Sequence, residues 1–110
     1  MPVASGLVTA DSNGNFTSDF TLESSVHKQF NGSFSSATPA FTASLSKAEF
    51  KDANDMSGGY SLDQNATIGP TTLNIPLVND SGKKIVISGT LNPHLDKAYN
   101  VKGLGKWHSS

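Results

Sequence analysis

Apolar residues recur at every second position along most of this chain, and its fold must accommodate that alternation. Phe16, Ser18, Phe20 and Leu22 fall on one face of an extended segment, with Thr17, Asp19 and Thr21 on the other. Val26, Lys28 and Phe30 repeat the spacing, and Phe41, Ala43 and Leu45 make a third run. Leu73, Ile75 and Leu77 form an apolar face opposite Asn74, Pro76 and Val78. The stretch 84–91 is rich in Ile and Val, and Tyr99, Val101, Gly103, Gly105 and Trp107 alternate with Asn100, Lys102, Leu104 and Lys106. Successive side chains of a strand point to opposite faces, so period two is the mark of a half-buried β-strand. Helical spacing is nearly absent; Ser46 to Asp52 is the one place where a short helical turn fits.

Turn chemistry separates the runs. Asn13-Gly14 and Asn31-Gly32 carry the dipeptide that tolerates positive φ. Asn79-Asp80-Ser81-Gly82 joins 71–78 to 83–91 and predicts a β-hairpin. Asp52 to Gly59 reads as a polar loop, and Asn92-Pro93 marks a break after Leu91. Pro76 has no N–H to give a ladder, which predicts an edge position or a bulge for its strand. A faint internal echo relates the turn at Asp11 and the strand after it to the turn at Asp80. The expectation is a single all-β domain over 1–110, an antiparallel sandwich or small barrel of seven or eight short strands.

Composition narrows the chemistry. The 110 residues contain no cysteine, which removes disulfides and thiolate sites. Net charge is −1 and charged residues are 15 % of the chain, against about 25 % in an average domain. Ser, Thr and Asn supply the polarity instead. Such a surface has no long-range pull on a phosphate backbone, so no nucleic-acid partner is expected. No apolar run approaches the roughly 18 residues of a membrane span. Met1 to Ser5 lacks a basic segment followed by an apolar block, so no signal peptide is expected, and the protein is cytoplasmic as made or exported by another route. Asn-x-Ser/Thr triplets at Asn15, Asn31, Asn65 and Asn79 matter only on a eukaryotic secretory route.

The candidate sites are few. Asp11, Asn13, Asn15 and Asp19 are spaced like the start of a calcium loop, but Phe16 stands where that loop needs Gly and Leu22 where it needs Glu. Asp52, Asn54 and Asp55, followed by Ser57, Gly58 and Gly59, form an oxygen-rich loop and are the candidate calcium ligands; no other cofactor is implied. His27, His94 and His108 would have to converge to act on a metal or a proton. Glu23, Glu49, Asp52, Asp55, Asp63 and Asp96 are the carboxylates from which a glycosidase-like pair would come, but such a pair needs a groove and a set separation. No nucleophile elbow and no phosphate-cradling glycine loop is present, so the chain is not expected to be an enzyme. Tyr60, Tyr99 and Trp107 are amphipathic rings able to stack on a sugar or on another partner.

The stretch from Ala66 to Trp107 resembles a family of small uncharacterised bacterial β-domains. The matching residues are Ile68-Gly69-Pro70-Thr71-Thr72-Leu73, Val78-Asn79, Ile87-Ser88-Gly89, Asn92-Pro93-His94-Leu95-Asp96 and Val101-Lys102-Gly103. His94 replaces the second Pro of the family's pattern, and the stretch lies at the C-terminal end of this chain rather than near the start of the domain. The resemblance implies a β-rich bacterial domain and carries no activity or site residues. On these grounds the expected function is a non-catalytic, lectin-like binding module for a carbohydrate or a protein surface, with Trp107, Tyr99 and Tyr60 as the ligand platform. The alternative is a structural β-protein that associates with itself as a homo-oligomer.

Overall fold

A computed structural model describes residues 3–22, 27–35, 39–63, 66–91 and 94–109. Glu23, Val26, Asn65 and the Asn92-Pro93 break lie outside the described residues. The strands are β1 (Val3–Ala10), β2 (Asn15–Thr21), β3 (His27–Phe34), β4 (Phe41–Glu49), β5 (Gly58–Leu62), β6 (Thr67–Ile68), β7 (Thr72–Val78), β8 (Lys84–Thr90), β9 (Tyr99–Asn100) and β10 (Gly103–Ser109). All pairings are antiparallel. Eight of the strands close a ring in the order β5, β10, β3, β2, β1, β4, β8, β7 and back to β5. The fold is a closed eight-stranded barrel, the second of the two architectures expected from the alternation.

The remaining two strands lengthen the ring. Ser61 and Thr67 are six residues apart, yet their partners Val78 and Asn74 on β7 are four apart, as are Leu104 and Asn100 on the other side. The register therefore shifts by two residues between β5 and β6, which together form one broken strand facing the β9–β10 segment. Pro76 lies opposite this break, where its carbonyl accepts the Asp63 N–H at 2.7 Å. The proline occupies the irregular position its missing N–H demands.

The barrel is filled by side chains, as an eight-stranded barrel permits. Phe16, Phe20, Phe30, Phe34 and Trp107 come from β2, β3 and β10, while β1 and β4 contribute Ala4, Val8, Ala43 and Ala48. Phe16 stacks on Phe34 with centroids 4.5 Å apart and planes at 8°. Phe41 at the start of β4 and Phe50 just past its end are buried as well, so rings enter the core from both sides of these small residues. Ile75, Leu77, Ile85 and Ile87 of the β7–β8 hairpin complete it. That hairpin turns at Asn79, whose Oδ1 accepts the N–H groups of Ser81 and Lys83 at 3.0 and 2.9 Å.

Four local expectations are corrected. Asn31-Gly32 is no turn: it lies mid-strand in β3, paired with Thr17 and Phe16 on one side and with Lys106 and Gly105 on the other. Tertiary pairing on both flanks overrides the local turn preference. Ser46 to Asp52 is not helical; β4 runs to Glu49 and a 3₁₀ turn follows at Ala53–Asp55. The polar loop from Asp52 ends early, because Gly58 and Gly59 already belong to β5. Leu45, expected inside with Phe41 and Ala43, points outward. Gly6 pairs with Ser46 and Val8 with Ala43, so β4 carries one extra residue there. This bulge reverses the alternation, turning Ser46 in and Leu45 out.

Candidate functional site

The three aromatic residues expected to form a platform do not form one, because two of them are buried. Trp107 is 4 % exposed. Its ring lies 5.0 Å from that of Phe30 and 6.2 Å from that of Phe20. It sits on the inward phase of β10, opposite Gly58 on β5, and so presents no face for stacking. Tyr60 is 2 % exposed, and its hydroxyl donates to the Asp55 carbonyl oxygen at 2.7 Å. Burial, and then the charge of Asp55, raise its phenol above the usual value of 10.0. Tyr99, on β9, is half-buried. Its hydroxyl donates to Asp96 Oδ1 at 2.7 Å, and Lys97 Nζ lies 5.3 Å from its ring centroid. The hydrogen bond to Asp96 is the main cause that raises this phenol, followed by desolvation and by the Asp96 charge.

The acidic loop is organised around its own backbone. Asp52 Oδ1 accepts the Asn54 N–H at 2.9 Å, and the Asp52 carbonyl accepts the Asp55 N–H at 2.9 Å. Among the described residues, no three of His, Asp and Glu are grouped so as to hold a metal ion. The other candidate carboxylates are distributed: Glu49 meets Lys47 at 3.7 Å at the end of β4, Asp63 sits at the break after β5, and Asp96 holds Tyr99. His27 Nδ1 lies 3.1 Å from Thr21 Oγ1 and 3.9 Å from Asp19 Oδ1, on the outer face of β2 and β3. His94 and His108 are exposed on other elements.

What sequence reasoning missed is on the outside of the barrel. A groove of about 910 Å³ crosses β1, β4, β8 and β7. Its floor is a register row in which Gly6 faces Ser46, Ser46 faces Gly89 and Gly89 faces Leu73. One wall is hydroxyl-rich, with Thr21, Ser5, Lys47 and Ser88 in register. The other wall is Leu7, Leu45, Thr90 and Thr72, with Leu45 81 % and Leu7 40 % exposed. Among the described residues that line it, Lys47 alone is charged.

The bulge in β4 makes this arrangement. Ser46 turns inward and its hydroxyl donates to the Ala43 carbonyl at 2.7 Å, so the buried oxygen is satisfied. Gly89 opposite it is necessary, because a Cβ there would run into the Ser46 side chain. With Ser46 withdrawn, Leu45 stands out over the groove. A signal for this did exist in the sequence. Apolar positions are odd at Phe41 and Ala43 of β4 and even at Ala48 and at Phe50 just past its end, a change of phase that a regular strand cannot carry.

The chain matches no protein-family model, and no curated protein is significantly similar to it.

Proposed function

We propose that this barrel is a non-catalytic binding module whose seat is the outer groove over β1, β4 and β8, and that its ligand is a protein surface. The observation that carries this reading is the exposure of Leu45. A bulge holds a leucine in water while a serine takes the inward place, an exchange that burial alone would oppose by about 1.5–3 kcal/mol for a full side chain. An apolar wall facing a hydroxyl wall suits a partner that offers a protruding apolar side chain flanked by peptide groups. A glycan is the second ligand class. It would use Tyr99, the one of the three candidate rings with exposed surface, and so would sit on β9 and away from Leu45.

The test uses a displayed random-peptide library panned on the full chain, with Leu45→Lys and Leu104→Lys as counter-targets. Leu104 is 63 % exposed on β10 and does not line the groove, which makes it the control. The reading expects peptides that lose binding to Leu45→Lys and keep it with Leu104→Lys. Peptides indifferent to Leu45, or none recovered, would overturn it. Thermal unfolding with calcium, EDTA and a sugar panel covers the other ligand classes, since a ligand at a hundredfold excess over Kd adds about 2.7 kcal/mol. A shift with a sugar that Tyr99→Ala abolishes would move the seat to β9. Sedimentation at rising concentration tests a second copy of the chain as the partner.

A further inference from the structure

Two Asn-Gly dipeptides occur in this chain, at 13–14 and at 31–32, and the fold puts them in opposite circumstances. Asn13 is exposed in the turn between β1 and β2, with Gly14 at φ 92°. Asn31 lies inside β3, with Gly32 paired to Phe16 of β2 and to Gly105 of β10. We propose that Asn13 is a site of spontaneous deamidation in the folded protein and that the barrel protects Asn31.

The chemistry is intramolecular and needs only water. The backbone nitrogen of the following glycine attacks Cγ of the asparagine amide. The new N–Cγ bond closes a five-membered imide, the Cγ–Nδ2 bond breaks, and ammonia departs with the proton from the glycine nitrogen. Water then adds across one of the two imide C–N bonds to leave aspartate or isoaspartate. Glycine favours the attack because no side chain blocks its nitrogen and its φ/ψ range is wide.

What decides between the two sites is whether the glycine nitrogen can swing onto Cγ. The turn at 11–14 is a short connection held by the Asp11 carboxylate, which accepts the N–H groups of Asn13 and Asn15 at 2.8 and 3.1 Å. Gly14 itself is buried, so opening the turn breaks these bonds and the one its carbonyl accepts from the Phe34 N–H, but it parts no strand ladder. Moving Gly32 requires β3 to part from β2 and β10 together, close to global unfolding. The Asn31 amide is also engaged, donating from Nδ2 to Gln29 Oε1 at 3.3 Å.

The product alters the turn. Either acid takes the formal net charge from −1 to −2 and sets a second carboxylate beside Asp11. Isoaspartate adds a carbon to the main chain before Gly14, whose carbonyl accepts the Phe34 N–H at 2.7 Å and ties the turn to the end of β3.

The experiment is ageing of the purified full chain at mildly alkaline pH, in native buffer and in parallel in guanidinium chloride, followed by peptide mapping with mass spectrometry. Expected in native buffer is conversion at Asn13 at least about tenfold faster than at Asn31, a gap that closes in denaturant. Equal rates at the two sites in native buffer would overturn the proposal. Conversion of Asn13 in guanidinium but not in native buffer would overturn it as well.

Discussion

Phe30 and Trp107 face each other across β3 and β10 with ring centroids 5.0 Å apart and planes at 53°. On the other flank of Phe30 the register places Ser18 of β2. The row runs along three neighbouring strands and points two large rings into the barrel. It also holds two buried polar atoms, Ser18 Oγ and Trp107 Nε1, with no hydrogen-bond partner among the described residues. The row thus combines large buried rings with buried polar atoms that no described residue satisfies. Trp107→Ala is expected to lower stability by about 3–5 kcal/mol in guanidinium unfolding. Ser18→Ala removes an unpaired hydroxyl from the same row, and is expected to be neutral or to raise stability by roughly 1 kcal/mol. A clear loss at Ser18→Ala would mean that its hydroxyl is engaged.

Leu45 and Ile87 are both large aliphatic residues on neighbouring strands, and only one of them is in the core. Leu45→Ser is expected to change stability by no more than about 0.5 kcal/mol, as for a surface site. Ile87→Ala is expected to cost about 2–5 kcal/mol. Thermal and denaturant unfolding of the two variants, side by side, check the direction of the β4 bulge. A large cost at Leu45 would put that side chain back inside.

Gly6 and Gly59 separate close approach from open space. A Cβ on Gly6 would strike the Asp19 carbonyl oxygen, a backbone atom of the neighbouring strand, and would crowd the Phe20 ring. Gly6→Ala is therefore expected to destabilise by about 1–3 kcal/mol. At Gly59 the nearest atom to such a Cβ is the Gly105 carbonyl oxygen at 3.8 Å. Gly59→Ala should be neutral or stabilising by up to about 1 kcal/mol, since it restricts the unfolded chain. Melting temperatures of the pair decide it.

Asp11 gives the first turn a pH dependence. Its carboxylate accepts the N–H groups of Asn15 and Asn13, and these bonds hold its pKa below the usual 3.8. A folded-state pKa below the unfolded value means that the charged form is the stabilising one. The contribution is whole above the unfolded value and fades as pH falls through the folded one. The stability difference between the wild type and Asp11→Ala should be constant from neutral pH down to about pH 4 and shrink below it. A difference that grew on acidification would contradict the hydrogen-bond assignment.

Much of the fold was legible because alternation is strong wherever one face of a strand is core and the other is wet. Phe16, Ser18 and Phe20, and Leu73, Ile75 and Leu77, are buried as their spacing requires. The turn at Asn79 was equally plain, because its side chain closes the hairpin by local hydrogen bonds. β1 escaped notice because its inward positions are the small residues Ala4, Gly6 and Val8, while Val3 and Leu7 face out. β5 was hidden by its two glycines. The groove could not be read directly, because its walls come from strands that are remote in sequence.

The sequence by itself determined the strand class, the single core and the inward phase of most strands, since these follow from side-chain period and turn chemistry over a few residues. Tertiary structure decided which rings are available to a ligand and which Asn-Gly is a turn. Trp107 and Tyr60 are amphipathic wherever they lie, but closure of the ring puts both inside. Asn31-Gly32 has the same local preference as Asn13-Gly14, yet β2 and β10 clamp it into a strand from both sides. Such choices depend on pairings made between distant segments, and those pairings outweigh local preferences that amount to about 1 kcal/mol or less per residue.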